Sequence, residues 1–210
     1  IPTKALLKSA QVFDYVNHSE NYGIKISKSS VDFDSIISRS RGVADGMSKG
    51  VNFLMKKNKI DILNGFGKII SKNEVEVTTE ENKKEIHKSD NIIIATGGRS
   101  RELPNLKIDN KKVIEYRKAM TLEKQPKKMV VVGSGAIGSE FAYFYNSIGT
   151  EVILVEYLPN ILPLEDIDVS KQLEKSFKKA GVNIMTNTEV LSVDTVSYTH
   201  LRAHETMSKR

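Results

Sequence analysis

The 210-residue chain contains no cysteine, and this absence excludes several classes of protein. A disulfide scaffold, a thiolate zinc site and a cysteine nucleophile all need thiols, so none can be built from these residues. No stretch approaches the roughly 18 uncharged apolar residues of a membrane span, and the N-terminus lacks the charged-then-apolar order of a secretory signal. With 39% hydrophobic residues, the composition predicts a soluble globular protein, which we assign to the cytoplasm.

A strong excess of one charge sign is also missing. The net charge is +6, of which residues 196–210 carry +2 through Arg202, Lys209 and Arg210 against Glu205. The other basic residues are spread among acidic ones, without the interleaved aromatic residues that single-stranded nucleic acids stack on. The charge therefore predicts a solvated surface and no nucleic-acid partner.

The first half of the chain shows two helical patterns and then a β-rich segment. Apolar residues from Leu6 to Val16 recur at helical spacing, and a second helix is predicted over about 34–58. Short β-like pieces follow at Ile60–Leu63, Lys68–Ile70 and Val75–Val77, which predict a small antiparallel layer. The continuous apolar run Asn91–Ala95 is typical of a strand that is buried on both faces.

The second half alternates strand and helix patterns. Met129–Val132 and Glu151–Glu156 are predicted strands, and a helix between them is expected to turn Ile137, Phe141 and Ile148 inward. Another helix pattern starts at Asp168 and stops near Gly181. This order predicts a parallel α/β unit.

A glycine motif lies between the first of these strands and its helix. It consists of Gly133, Ser134, Gly135, Ala136, Ile137 and Gly138, a GxGxxG pattern. The glycines permit a tight turn, close approach of a pyrophosphate and close helix packing, while the helix N-terminus offers N–H groups to phosphates. Glu156 ends the next strand, where a carboxylate accepts hydrogen bonds from an adenosine ribose and repels a 2′-phosphate. The pattern therefore predicts binding of NAD in preference to NADP.

In combination, several motifs resemble the flavin-dependent pyridine nucleotide-disulfide oxidoreductases over roughly residues 1–195. They are Ile1–Leu7, Asn64–Lys68, Ile94–Gly97 and Gly133–Glu140. The resemblance implies an α/β fold with two dinucleotide-binding domains of Rossmann type, one for FAD and one for NAD, and a small antiparallel layer. It divides the chain into a partial FAD-binding domain (1–123), a partial NAD-binding domain (124–195) and a tail (196–210).

The resemblance also assigns cofactor-binding residues. On the FAD side, Lys4 matches the lysine beside the flavin ring, and Glu140 matches the acid that pairs with it. Four further residues match the family's FAD contacts, and these are Gly67, Thr96, Gly97 and Gly98. On the NAD side the resemblance covers the glycine motif and Glu156, and it adds Val190 as an apolar contact to the adenosine half.

The activity that the resemblance implies is NAD-dependent oxidation of dihydrolipoyl groups through a redox disulfide and FAD. The partners would be a lipoyl-bearing carrier protein of a 2-oxoacid dehydrogenase or glycine cleavage complex, and a second copy of the whole enzyme. The matching motif places Ile1 directly after a redox cysteine, so we expect a fragment that contains no catalytic residue and is inactive. The disulfide and the His-Glu base are absent from it.

Residues 196–210 match no strand of that family and look like a translated sequencing adaptor. We therefore expect a non-native tail that packs poorly or is disordered, and no metal site at His200, His204 and Glu205.

Two other interpretations stay open at this point. One is a fragment of a sister flavoprotein disulfide reductase or of a soluble transhydrogenase. The other is a nucleotide-binding module without catalysis, which would differ by the absence of a Lys4–Glu140 pair.

Overall fold

The computed structural model describes residues 2–104, 106–194 and 200–205, the side chains only as far as residue 193. The helices are α1 (Pro2–Asn17), α2 (Phe33–Lys57), α3 (Tyr116–Ala119), α4 (Ala136–Ser147) and α5 (Ile167–Lys179), with a short 3₁₀ helix at Ser19–Tyr22. The strands are β1 (Phe66–Ser71), β2 (Glu74–Thr78), β3 (Lys84–Lys88), β4 (Lys128–Val132), β5 (Glu151–Val155), β6 (Asn183–Met185), β7 (Thr188–Asp194) and β8 (His200–Glu205). None of the described helices is both long and apolar enough to cross a bilayer.

The chain divides into two compact units. One unit contains residues 1–44 and 100–210, and the other contains residues 45–99. This division does not follow the boundary near residue 123 that the sequence predicts, since α1 packs with α4 on one core. The assignment of FAD and NAD domains therefore stays a prediction.

The larger unit contains the predicted parallel α/β arrangement. β4, β5 and β6 form a parallel sheet in that order, and α4 and α5 make the two crossovers. Apolar residues on α4 and at its C-cap recur at positions three and four apart, so that Phe141, Phe144, Tyr145 and the C-cap residue Ile148 are all buried. They pack in one core with Leu6 and Ala10 of α1 and with Val152 and Leu154 of β5. The predicted fold class is confirmed.

The prediction that Ile137 faces inward is wrong. Ile137 is 56% exposed, because it lies in the first turn of α4 at the open end of the glycine motif. Its apolar side chain is thus available to a ligand and does not contribute to the core.

The smaller unit contains the predicted antiparallel layer, a meander of β1, β2 and β3. The expected strand at Ile60–Leu63 does not form. The N–H of Ile60 donates to Met55 O, and Lys59 has a φ of 56°, so this part of the chain terminates α2.

The buried strand expected at Asn91–Ala95 is also not formed. The segment is irregular, and Ile93 and Ile94 are 90% and 70% exposed. A strand of this type needs neighbours on both sides, and no described strand pairs with residues 91–95.

Part of the tail is described by the structure. Residues 200–205 form β8, which pairs antiparallel with β7 from Thr188 opposite Glu205 to Asp194 opposite His200. Backbone pairing of this kind satisfies N–H and C=O groups without specific side chains. Residues 200–205 are therefore paired through their backbone, while residues 195–199 and 206–210 lie outside the described residues. The expectation of a non-native tail that packs poorly or is disordered stays a prediction.

Candidate nucleotide-binding site

The glycine motif forms a tight turn between β4 and α4. Gly133 has a φ of 93°, a conformation that favours glycine, and its N–H donates to Val155 O at 2.8 Å. This bond ties the turn to the end of the neighbouring strand β5. A Cβ at Gly138 would overlap the carbonyl oxygen of Gly133, so only glycine fits at the third glycine of the motif.

The second glycine is placed differently. Gly135 is the N-cap of α4 and has no neighbouring atom within 4 Å of the position of a Cβ. Ala136 and Ile137, the next residues, are exposed. The N-terminus of α4 is therefore open at its positive end, which is the arrangement that binds a phosphate group.

Glu156 follows β5 directly and is only 7% exposed. Its Oε2 accepts from the N–H of Ser134 at 2.8 Å and from Ser134 Oγ at 2.6 Å. Its Oε1 accepts from the N–H of Leu158 at 2.9 Å. These three donors compensate the desolvation of a buried carboxylate.

The backbone around Glu156 is fixed as well. Its N–H donates to Met185 O at 2.8 Å, and its carbonyl oxygen accepts from the N–H of Thr188 at 2.9 Å. The structure thus brings the glycine motif, Glu156 and the start of β7 together at the carboxyl ends of the parallel strands, where ligands bind in α/β sheets. Val190 lies two residues further along β7 and is half-buried.

Sequence reasoning missed three contributors to this site. Ser134 was assigned to the motif without a role, and the N–H groups of Leu158 and Thr188 carry no side-chain signal. A serine at the second motif position, followed at a distance by an acid at a strand end, is the one sequence signal available for the contact of Ser134 with Glu156.

The predicted pair of Lys4 and Glu140 is formed between α1 and α4. The Lys4 side chain is 73% exposed and that of Glu140 is 28% exposed, so the ion pair faces solvent. A groove of about 300 Å³ lies alongside and is lined by Lys4, Leu7, Lys8, Gln11 and Tyr143. Burial raises the pKa of the Tyr143 phenol.

The predicted FAD residues Gly67, Thr96, Gly97 and Gly98 belong to the smaller unit. Gly67 lies in β1 opposite Val77 of β2. Gly97 has a φ of 77°, a left-handed conformation that favours glycine. The contacts of these residues with FAD stay a prediction.

Comparison with known proteins places these features in a family. Residues 1–208 match the family model described as pyridine nucleotide-disulphide oxidoreductase. The dihydrolipoyl dehydrogenase of Zymomonas mobilis is 45% identical over 186 residues, which are 89% of this chain and 40% of that protein. The dihydrolipoyl dehydrogenase of Chlorobaculum tepidum is 43% identical over 184 residues, 88% of this chain and 39% of that protein.

The fold has a similar relative among solved structures. The crystal structure of LpdA from Mycobacterium tuberculosis superposes with a TM-score of 0.87 at 24% identity, over 97% of this chain and 45% of that one. The chain thus spans less than half the length of the relatives it matches. On the family match over nearly its whole length, the chain belongs to the pyridine nucleotide-disulphide oxidoreductases.

Proposed function

We propose that this chain is the part of a dihydrolipoyl dehydrogenase that binds NAD through the glycine motif and borders the FAD site. The observation that carries the proposal is the arrangement of Gly133, Gly135, Gly138 and Glu156 around the open N-terminus of α4. Two relatives at 45% and 43% identity bear the name of that enzyme, which supports this branch of the family.

On the NAD side, each residue has a separate task. The N–H groups at the start of α4 receive the pyrophosphate, and Gly135 leaves room for it to approach. Ile137 offers an exposed apolar surface, and Val190 an apolar contact to the adenosine half. Glu156 accepts a hydrogen bond from the ribose. The next residue is Tyr157, whereas selection of a 2′-phosphate would need a basic residue at that position.

On the FAD side, the proposal assigns Lys4, Gly67, Thr96, Gly97 and Gly98 to the flavin cofactor. FAD, when bound, supplies the redox centre between the disulfide and NAD. Lys4 places a cation where negative charge develops on the reduced flavin, and its ion pair with Glu140 restricts the ammonium group.

The rest of the proposal concerns the whole enzyme. Its substrate is a dihydrolipoyl group on a carrier protein of a 2-oxoacid dehydrogenase or glycine cleavage complex, and the enzyme acts as a cytoplasmic homodimer. The chain has no cysteine, so it cannot exchange a disulfide with lipoamide by itself. We therefore expect nucleotide binding without lipoamide turnover.

Titration calorimetry with NAD⁺ and NADP⁺ tests the nucleotide site in the 210-residue chain. We expect binding of NAD⁺ and at least tenfold weaker binding of NADP⁺. The matched variants are Gly135→Asp and Gly135→Asn. Both residues are good N-caps in open space, but only aspartate places a negative charge at the phosphate position.

The charged variant should therefore lose far more NAD⁺ affinity than the neutral one. Equal affinities in Gly135→Asp and Gly135→Asn would contradict phosphate binding at α4. Reduction of lipoamide by the chain alone, assayed with NADH as the electron donor, would contradict the proposal that lipoamide turnover needs residues that the chain lacks.

A further inference from the structure

Ser134, the second residue of the glycine motif, is fully buried and uses every polar group it has. Its N–H and its hydroxyl both donate to Glu156 Oε2, at 2.8 Å and 2.6 Å. Its carbonyl oxygen accepts from Ser139 Oγ at 2.9 Å and from the N–H of Leu162 at 3.1 Å. Ser134 is thus held on one side by α4 and the loop after β5, and it holds Glu156 on the other.

The two oxygens of Glu156 are consequently unequal. An ionised carboxylate has about four acceptor positions, two on each oxygen. Both positions of Oε2 are filled by Ser134, whereas Oε1 accepts one bond within the part of the chain that the structure describes, from the N–H of Leu158 at 2.9 Å. The remaining acceptor capacity of Glu156 therefore lies on Oε1.

We propose that Ser134 is a positioning residue whose hydroxyl fixes the Glu156 carboxylate so that Oε1 receives the ribose hydroxyl of the nucleotide. The inference rests on the proposed binding of NAD and specifies how that site selects the ribose. Ser134 acts through Glu156, and its side chain makes no contact with the nucleotide.

The Ser134 hydroxyl and the negative charge of Glu156 have different effects on nucleotide binding. Without the Ser134 hydroxyl, Oε2 keeps one donor, the N–H of Ser134. The carboxylate can then rotate about the Cγ–Cδ bond of Glu156, so Oε1 is less well placed to accept from the ribose. The negative charge remains, so repulsion of a 2′-phosphate persists. Removal of the hydroxyl should thus weaken recognition of the 2′-hydroxyl and leave rejection of the 2′-phosphate intact.

Calorimetric titrations of the 210-residue chain and its Ser134→Ala variant with NAD⁺, 2′-deoxy-NAD⁺ and NADP⁺ separate these two effects. The preference for NAD⁺ over 2′-deoxy-NAD⁺ should fall roughly 3- to 10-fold in the variant, as expected when the hydrogen bond to the ribose is weakened and not abolished. The preference for 2′-deoxy-NAD⁺ over NADP⁺, neither of which carries a free 2′-hydroxyl, should stay within about twofold of its original value.

Ser170→Ala is the matched control. Ser170 is 2% exposed, and its hydroxyl donates to Leu162 O at 3.2 Å, away from Glu156. Ser170→Ala also removes a buried hydroxyl. Its preference for NAD⁺ over 2′-deoxy-NAD⁺ and its preference for 2′-deoxy-NAD⁺ over NADP⁺ should equal those of the unmodified chain. A merely structural role for Ser134 would lower the affinity for all three nucleotides by one factor.

The background of Glu156→Gln gives an independent test. If Ser134 acts through the carboxylate, Ser134→Ala should change the 2′-hydroxyl preference by less than about twofold in that background. A full effect there would overturn the inference.

The outcomes for the inference and for the proposed function are distinguishable. Binding of NAD⁺ by the unmodified chain, with equal 2′-hydroxyl preferences in the unmodified chain and Ser134→Ala, overturns the role of Ser134 alone. Failure of the unmodified chain to bind any of the three nucleotides overturns both.

Discussion

The α-carbon of Gly138 faces the carbonyl oxygen of Gly133 so closely that no side-chain atom fits between them. This contact brings the first turn of α4 against the end of β4. It explains why residue 138 must be glycine although its backbone conformation is an ordinary helical one. The first position is glycine for a different reason, namely the φ of 93° at Gly133.

Substitution Gly138→Ala should therefore destabilise the larger unit. A methyl group there pushes α4 away from β4, and overpacking of this kind costs about 1–3 kcal/mol. Urea unfolding followed by circular dichroism measures the change. Gly135→Ala is the control, since its Cβ meets open space and an N-cap change from glycine costs about 1 kcal/mol or less. Equal destabilisation by the two substitutions would contradict the close approach.

The contrast between these glycines shows which features the sequence determines locally. The strand, the turn and the helix around residues 128–147 were predictable, because each needs only neighbours along the chain. The exposure of Ile137 was not, since it depends on what covers the start of α4. Likewise, Glu156 was predicted as an acid at a strand end, but its burial and its hydrogen bond from the Ser134 hydroxyl depend on tertiary contacts.

The errors in the smaller unit have a similar origin. The residues of Ile60–Leu63 and Asn91–Ala95 have β-forming side chains, but a strand also requires backbone partners. Ile60 instead donates to Met55 O in the cap of α2, and no described strand pairs with residues 91–95. Side-chain pattern alone does not contain this information.

The exposed residue Ile93 provides a second prediction. At 90% exposure it contributes little to folding, so Ile93→Ser should change the free energy of unfolding by less than about 0.5 kcal/mol. It should also reduce self-association, which sedimentation velocity measures, because it removes exposed apolar surface. The control is Ile161→Ser at a fully buried position, which should be strongly destabilising. A loss of stability in Ile93→Ser as large as in that control would show that residue 93 is buried in solution.

Tyr145 gives a prediction about alkaline pH. Its hydroxyl donates to Ala119 O at 2.6 Å, and burial raises its pKa above the usual value. Tyr145→Phe leaves that buried carbonyl without its donor, so it should cost about 1–3 kcal/mol at pH 7.

The sign of the pH dependence follows from the raised pKa of Tyr145. Its contribution is complete below the pKa of about 10 in the unfolded chain, and it is lost as pH rises further, because only the unfolded state then ionises. The difference in unfolding free energy between the chain and Tyr145→Phe should therefore shrink from pH 7 to pH 11. Tyr157→Phe, at a residue 60% exposed, should change stability little at either pH. A difference that grows with pH would contradict the raised pKa.

The pair of Lys4 and Glu140 gives the last prediction, which separates a structural from a cofactor-binding role. Both partners reach solvent, Lys4 to 73%, so the pair should contribute about 0.2–1 kcal/mol to folding and less at high salt. A double-mutant cycle with Lys4→Met and Glu140→Gln, measured by urea unfolding at low and high salt, gives the coupling energy directly. Lys8→Met, at an exposed lysine of α1 whose side chain donates to Gln11, is the control and should show no coupling to Glu140. A coupling of several kcal/mol between Lys4 and Glu140 would mean that the pair holds α1 on α4. A small coupling energy means that the stability of the fold does not require the pair, as expected if Lys4 and Glu140 serve the flavin cofactor.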